Sequence, residues 1–93
     1  MTTNQFPSVW DAIEDTPEAA AHMKLRAELM MALERHIKAI GWTQAEAAKR
    51  LGVTQPRISD LTRGKIDLFA IDSLVAMLTA AGLKVELQVS KAA

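Results

Sequence analysis

Apolar residues recur at helical spacing through the first half of the chain. Leu25, Leu29, Leu33, Ile37 and Ile40 share one side of a 3.6-residue period, and Met23, Met30 and Met31 widen that stripe. The spacing predicts one long helix. Thr16 offers an N-cap, and Pro17 stands at the first helical position, where a missing N–H costs nothing. Glu18 brings negative charge to the positive end of the helix dipole. The helix is expected to run to about Ile40 and to end at Gly41, which suits a left-handed cap. The methionines read as core filler, with a groove for a partner as the sharper alternative.

Two shorter helices follow. Thr43 is an N-cap candidate, and Glu46, three residues later, completes a capping box for a helix over 44–51 that ends at Gly52. Thr54 can cap a second helix over 55–62, where Pro56 is tolerated because it falls in the first turn. Gly64 ends that helix. Asp67 is expected to cap a further helix to about Ala81, with Leu68, Ile71, Leu74, Val75 and Leu78 facing inward and Gly82 closing it. Ahead of all these, Ser8 offers a cap for a short turn through Val9, Trp10, Asp11, Ala12 and Ile13.

The period then changes. Leu83, Val85, Leu87 and Val89 alternate with Lys84, Glu86 and Gln88, which is a strand signal. A lone strand leaves its ladder groups unpaired, and no second strand is visible in the sequence. The simplest solution is pairing with the same strand of a second copy across a two-fold axis. A frayed tail or an extra helical turn is the alternative. The expected organisation is therefore an acidic arm with a short helix over 1–15, a helix-turn-helix domain over 16–82, and a dimerising strand and tail over 83–93.

Composition narrows the function. The chain of 93 residues is one domain with a modest core, marginal without a partner subunit. Cysteine is absent, which excludes a disulfide framework and thiolate metal sites. No apolar run approaches the ~18 residues of a membrane span, and no signal-peptide pattern opens the chain. The expectation is a cytoplasmic, nucleoid-associated protein with no membrane contact. An enzyme is not expected. Tyrosine is absent too, and the two histidines, His22 and His36, lie fourteen residues apart on one helix, about 21 Å along its axis. They cannot share a metal. Each glycine closes a helix, so no phosphate-cradling loop is present, and no cofactor or metal is expected.

Net charge is zero, but its distribution is uneven. Segment 6–18 carries Asp11, Glu14, Asp15 and Glu18 with no basic residue, whereas segment 44–65 carries Lys49, Arg50, Arg57, Arg63 and Lys65 against Glu46 and Asp60. A basic middle fits a nucleic-acid footprint; ordinary solvated faces would look similar.

The stretch QAEAAKRLGVTQPRISDLTRG, residues 44–64, sharpens the choice. Gln44, Ala48, Gly52, Ile58 and Leu61 are spaced for two helices joined by a tight turn. Ala48 sits at the helix crossing, Gly52 takes the turn, and Ile58 and Leu61 face the core with Leu51 and Val53. Thr54, Gln55, Pro56, Arg57, Ser59, Asp60 and Arg63 are left outward or along the rim. Two packed helices of any all-helical domain could share this pattern.

Segment 43–65 closely resembles the Cro/cI-like (XRE) family of helix-turn-helix proteins. The resemblance implies an all-α, five-helix, lambda-repressor-like fold over roughly 23–82, with the C-terminal β-strand beyond it. By position, Gln44 resembles the glutamine that contacts a phosphate and steadies the recognition helix. Gln55 occupies the first reading position, where glutamine can grip adenine N6 and N7. Ser59 and Asp60 align with base-facing positions, and Asp60 could accept from cytosine N4. Arg63 and Lys65 align with backbone-contacting positions. Arg57 could serve a groove edge or a phosphate. Pro56 departs from the usual polar residue and leaves only apolar contact, such as a thymine methyl.

The whole chain is similar to small XRE-type antitoxins of the HigA kind and their stand-alone relatives. That likeness implies a repressor bound to an inverted-repeat operator as a homodimer through Leu83, Val85, Leu87 and Val89. It also implies a second partner, a basic ribonuclease toxin lying on Val9, Trp10 and Ile13. The alternatives are that Trp10 and Ile13 fold back over the domain's own core, and that the chain is a protein-interaction module with little DNA binding of its own.

Overall fold

The computed structural model of the protein describes residues 16–91. Four α-helices and one short 3-10 turn follow in order: α1 Pro17–Ile40, α2 Gln44–Leu51, α3 Gln55–Thr62, the turn Ile66–Leu68, and α4 Ile71–Ala80. The short turn expected over 8–13, and with it Val9, Trp10 and Ile13, lies outside the described residues.

Local chemistry sets the first three helices. Thr16, Thr43 and Thr54 each hold an extended backbone, and each hydroxyl accepts from the N–H three residues on, at Ala19 (3.0 Å), Glu46 (3.1 Å) and Arg57 (3.3 Å). These bonds satisfy donors that the first helical turn leaves orphaned. The helix ends are equally local. Gly64, at φ 72°, lets its own N–H reach Leu61 O (3.1 Å) and the Lys65 N–H reach Asp60 O (3.1 Å), the paired bonds of a Schellman ending.

α1 packs mainly against α4, and α2 against α3. The core is Met30, Leu33 and Ile37 from α1, Ala47, Ala48 and Leu51 from α2, Ile58 and Leu61 from α3, Phe69, and Leu74, Met77 and Leu78 from α4. His36 joins the far ends of α1 and α4: its Nε2–H donates to Ala81 O (3.2 Å), and its ring stands edge-on to Trp42.

Three expectations need correction. First, the described residues hold four α-helices, not five, because the chain between Gly64 and Ile71 makes only the three-residue 3-10 turn. Second, α4 starts at Ile71 with Ala70 as its N-cap and no side-chain cap. Asp67 sits inside the 3-10 turn instead. The turn also shifts the apolar register. Leu68 is 48% exposed, whereas Phe69, extended at φ −124° and ψ 124°, turns its ring into the core at 1% exposure. On α1, Leu25, Met31 and Ile40 are likewise exposed, so its buried stripe is narrower than the periodicity suggests. Third, no β-strand forms among the described residues. Residues 83–91 are non-helical, but a strand is defined by ladder hydrogen bonds, and no other described segment supplies a partner for them. Leu83 is partly buried on the core, while Leu87 and Val89 are more than 80% exposed.

Candidate nucleic-acid interface

α2 and α3 form a tight pair because small residues line their junction. Ala47 and Ala48 are both buried, and Ala47 is completely so. Gly52, at φ 71°, makes the bend between the helices. That left-handed conformation costs an L-residue roughly 1–2 kcal/mol. It lets the Val53 N–H close on Ala48 O at 3.0 Å.

α3 is anchored along one side only. Ile58 and Leu61 point into the core, and the opposite side is left to solvent. Thr54, Gln55, Pro56, Arg63 and Lys65 are exposed, and Ser59 and Asp60 are half-buried on the same outward side. Gln44, the first residue of α2 after its Thr43 cap, is also exposed. Pro56 stands in the first turn of α3, where its missing N–H leaves no gap in the helix ladder.

The cations divide into two groups. Lys49, Arg63 and Lys65 are exposed. Arg50 is engaged: its Nε–H donates to Glu46 Oε2 at 2.6 Å, and its guanidinium lies 5.6 Å from the Trp42 ring centroid. That bond holds the Glu46 carboxyl below the usual carboxylate range. The pairing also changes the expected capping box, since the Glu46 side chain meets Arg50 while its backbone N–H meets Thr43.

Arg57 departs most from the sequence reading. Its Nη1–H donates to Leu68 O at 2.7 Å, and its guanidinium carbon sits 4.1 Å from the centroid of the Phe69 ring. The side chain therefore lies along the flank of α3, against the 3-10 connector. Phe69 was missed by periodicity altogether. Its signal, a large aromatic between Leu68 and Ala70 in a short connector, follows no helical repeat.

This geometry defines the class: two short helices joined by a glycine bend, the second displaying a polar face, packed on a longer helix. The helix-turn-helix domain family matches residues 12–90. A solved structure named as an XRE family transcriptional regulator is similar at 33% identity and a TM-score of 0.73, over 78% of this chain and 82% of that one. No curated protein matches. The chain belongs to the helix-turn-helix domain family and is an XRE-type member.

Proposed function

We propose that the protein is a sequence-specific DNA-binding transcriptional regulator that represses by occupying an inverted-repeat operator as a homodimer. The observation that carries this reading is the outward face of α3. Exposed Gln55 and half-buried Ser59 and Asp60 lie on the outward side of a helix seated by Ile58 and Leu61, and are followed by exposed Arg63 and Lys65. A B-form major groove is wide enough for one helix, and glutamine is suited to adenine. Gln44, Arg63 and Lys65 are assigned to phosphates, and Gln55, Ser59 and Asp60 to base edges. Thr54 and Pro56 lie at the rim, with apolar contact at Pro56.

One such helix discriminates weakly, since a good bidentate base contact is worth about 1–3 kcal/mol. Two copies about 34 Å apart would read successive grooves on one face of the duplex. The tail supports the pairing. Leu87 and Val89 are open to solvent, and Val85 and Leu87 line a groove of about 670 Å3 together with Leu25, Leu29, Met31 and Val75. Exposed apolar surface together with unpaired backbone invites strand addition by a second copy. The proposal includes an antitoxin-like role with a cognate toxin; its support is the family resemblance, because Val9, Trp10 and Ile13 lie outside the described residues.

Selection of duplexes from a random pool on the purified protein tests the regulator reading. The expected product is an inverted repeat with half-sites one helical turn apart, about 10 bp between centres. Affinity for it should fall with salt at a log–log slope near −4 to −5, as about four to six phosphate contacts per dimer require. A pool that yields no consensus, or a flat salt response, contradicts the reading. A protein-interaction module would give that result while keeping an intact dimer.

A further inference from the structure

We propose that Arg57 is a positioning residue that sets the roll of α3, and that it contacts neither base nor phosphate. The inference rests on the DNA-binding reading above and concerns how that surface is held.

α3 is only eight residues long, and its two buried anchors, Ile58 and Leu61, lie three residues apart on one side. Such an anchor fixes the distance of the helix from the core better than its rotation about its own axis. Rotation decides which of Gln55, Ser59 and Asp60 meets a base edge. Arg57 supplies a lateral restraint. It reaches sideways to donate to Leu68 O, and its guanidinium lies over the face of Phe69. Phe69 is itself immobilised in the core. A guanidinium suits this task because its planar fork can stack on a ring and donate in its plane together.

A second arginine braces the same connector. Arg26 of α1 donates through Nη1–H to Ile66 O at 3.3 Å. Two guanidinium groups, from α1 and α3, thus grip alternate carbonyls of the turn that leads into α4. The connector has no periodic apolar pattern of its own, and these cations tie it to both helices. The charge on Arg57 is consequently turned away from the face that carries Gln55 and Arg63.

The test uses the full chain and a duplex selected from a random pool. Arg57→Gln is expected to raise Kd about threefold to tenfold, the loss of a solvent-accessible cation–π contact with its hydrogen bond, while the salt slope stays that of the wild type. In a Phe69→Leu background, which keeps an apolar side chain in the core, the same substitution should change Kd much less. A slope that weakens by about 0.9 per protomer, with equal effects in both backgrounds, assigns Arg57 to a phosphate and overturns the proposal. An unchanged Kd overturns it as well. A DNA-free arm separates this inference from the functional reading. The fall in melting temperature caused by Arg57→Gln should shrink in the Phe69→Leu chain, and strict additivity overturns the restraint. If the pool yields no bound duplex, the DNA-binding reading fails and the thermal cycle alone decides the role of Arg57.

Discussion

Ile58→Ala is expected to remove about 2–5 kcal/mol of folding stability. Ile58 is completely buried, and with Leu61 it is the attachment of α3 to the rest of the domain. Truncation deletes three side-chain carbons from a cluster that draws on all four helices, and neighbours seated on helices relax only partly into such a void. A domain of this size has roughly 5–15 kcal/mol in total, so the loss is a large share. In melting temperature it corresponds to a drop of about 4–8 °C per kcal/mol. Thermal unfolding followed by circular dichroism reads it directly. Ser59→Ala, on the outward side of the same helix, is the control and should change stability by less than about 0.5 kcal/mol. A loss below about 1 kcal/mol at Ile58 would mean that α3 is not seated as described.

The second large effect is expected at the tail. Leu87→Asp combined with Val89→Asp should convert a dimer to a monomer and weaken binding to a two-half-site duplex by about 10²–10⁴-fold, the contribution of linking two binding events. Leu87 is 81% exposed and Val89 82% exposed in the single chain, so carboxylates at these positions leave the fold of a protomer intact. They become costly only where a second copy covers them, because a buried charge without a partner is strongly unfavourable. Light scattering reports the mass and anisotropy reports the affinity. A double variant that keeps both the dimer and the wild-type affinity would place the interface elsewhere on the molecule.

The sequence was most legible where structure is decided within one turn of chain. A threonine oxygen three residues from the N–H it caps, and a glycine where φ must be positive, act through neighbours only. For that reason the bounds of α1, α2 and α3 follow from Thr16, Thr43, Thr54, Gly41, Gly52 and Gly64. The outward placement of Gln55, Pro56 and Arg63 follows in turn from the helical spacing of Ile58 and Leu61. The connector before α4 was not legible. Asp67 has the chemistry of a cap, but Phe69 gains more by entering the core, and that contest is settled by tertiary packing. Arg57 escaped for the same reason. Nothing local distinguishes an arginine aimed at a phosphate from one lying on an aromatic ring twelve residues further along. The strand was legible as a pattern of side chains, yet its ladder depends on a partner that no other described segment provides.

The central claim is that the outward face of α3 enters the major groove. The most direct measurement is a titration of the isotopically labelled protein with its selected duplex, followed through backbone amide resonances. The account predicts the largest shifts at Gln44, Thr54, Gln55, Ser59, Asp60, Arg63 and Lys65, with the amides of α4 little changed. Shifts concentrated on residues 83–89 and the α1–α4 groove, with α3 silent, would contradict it.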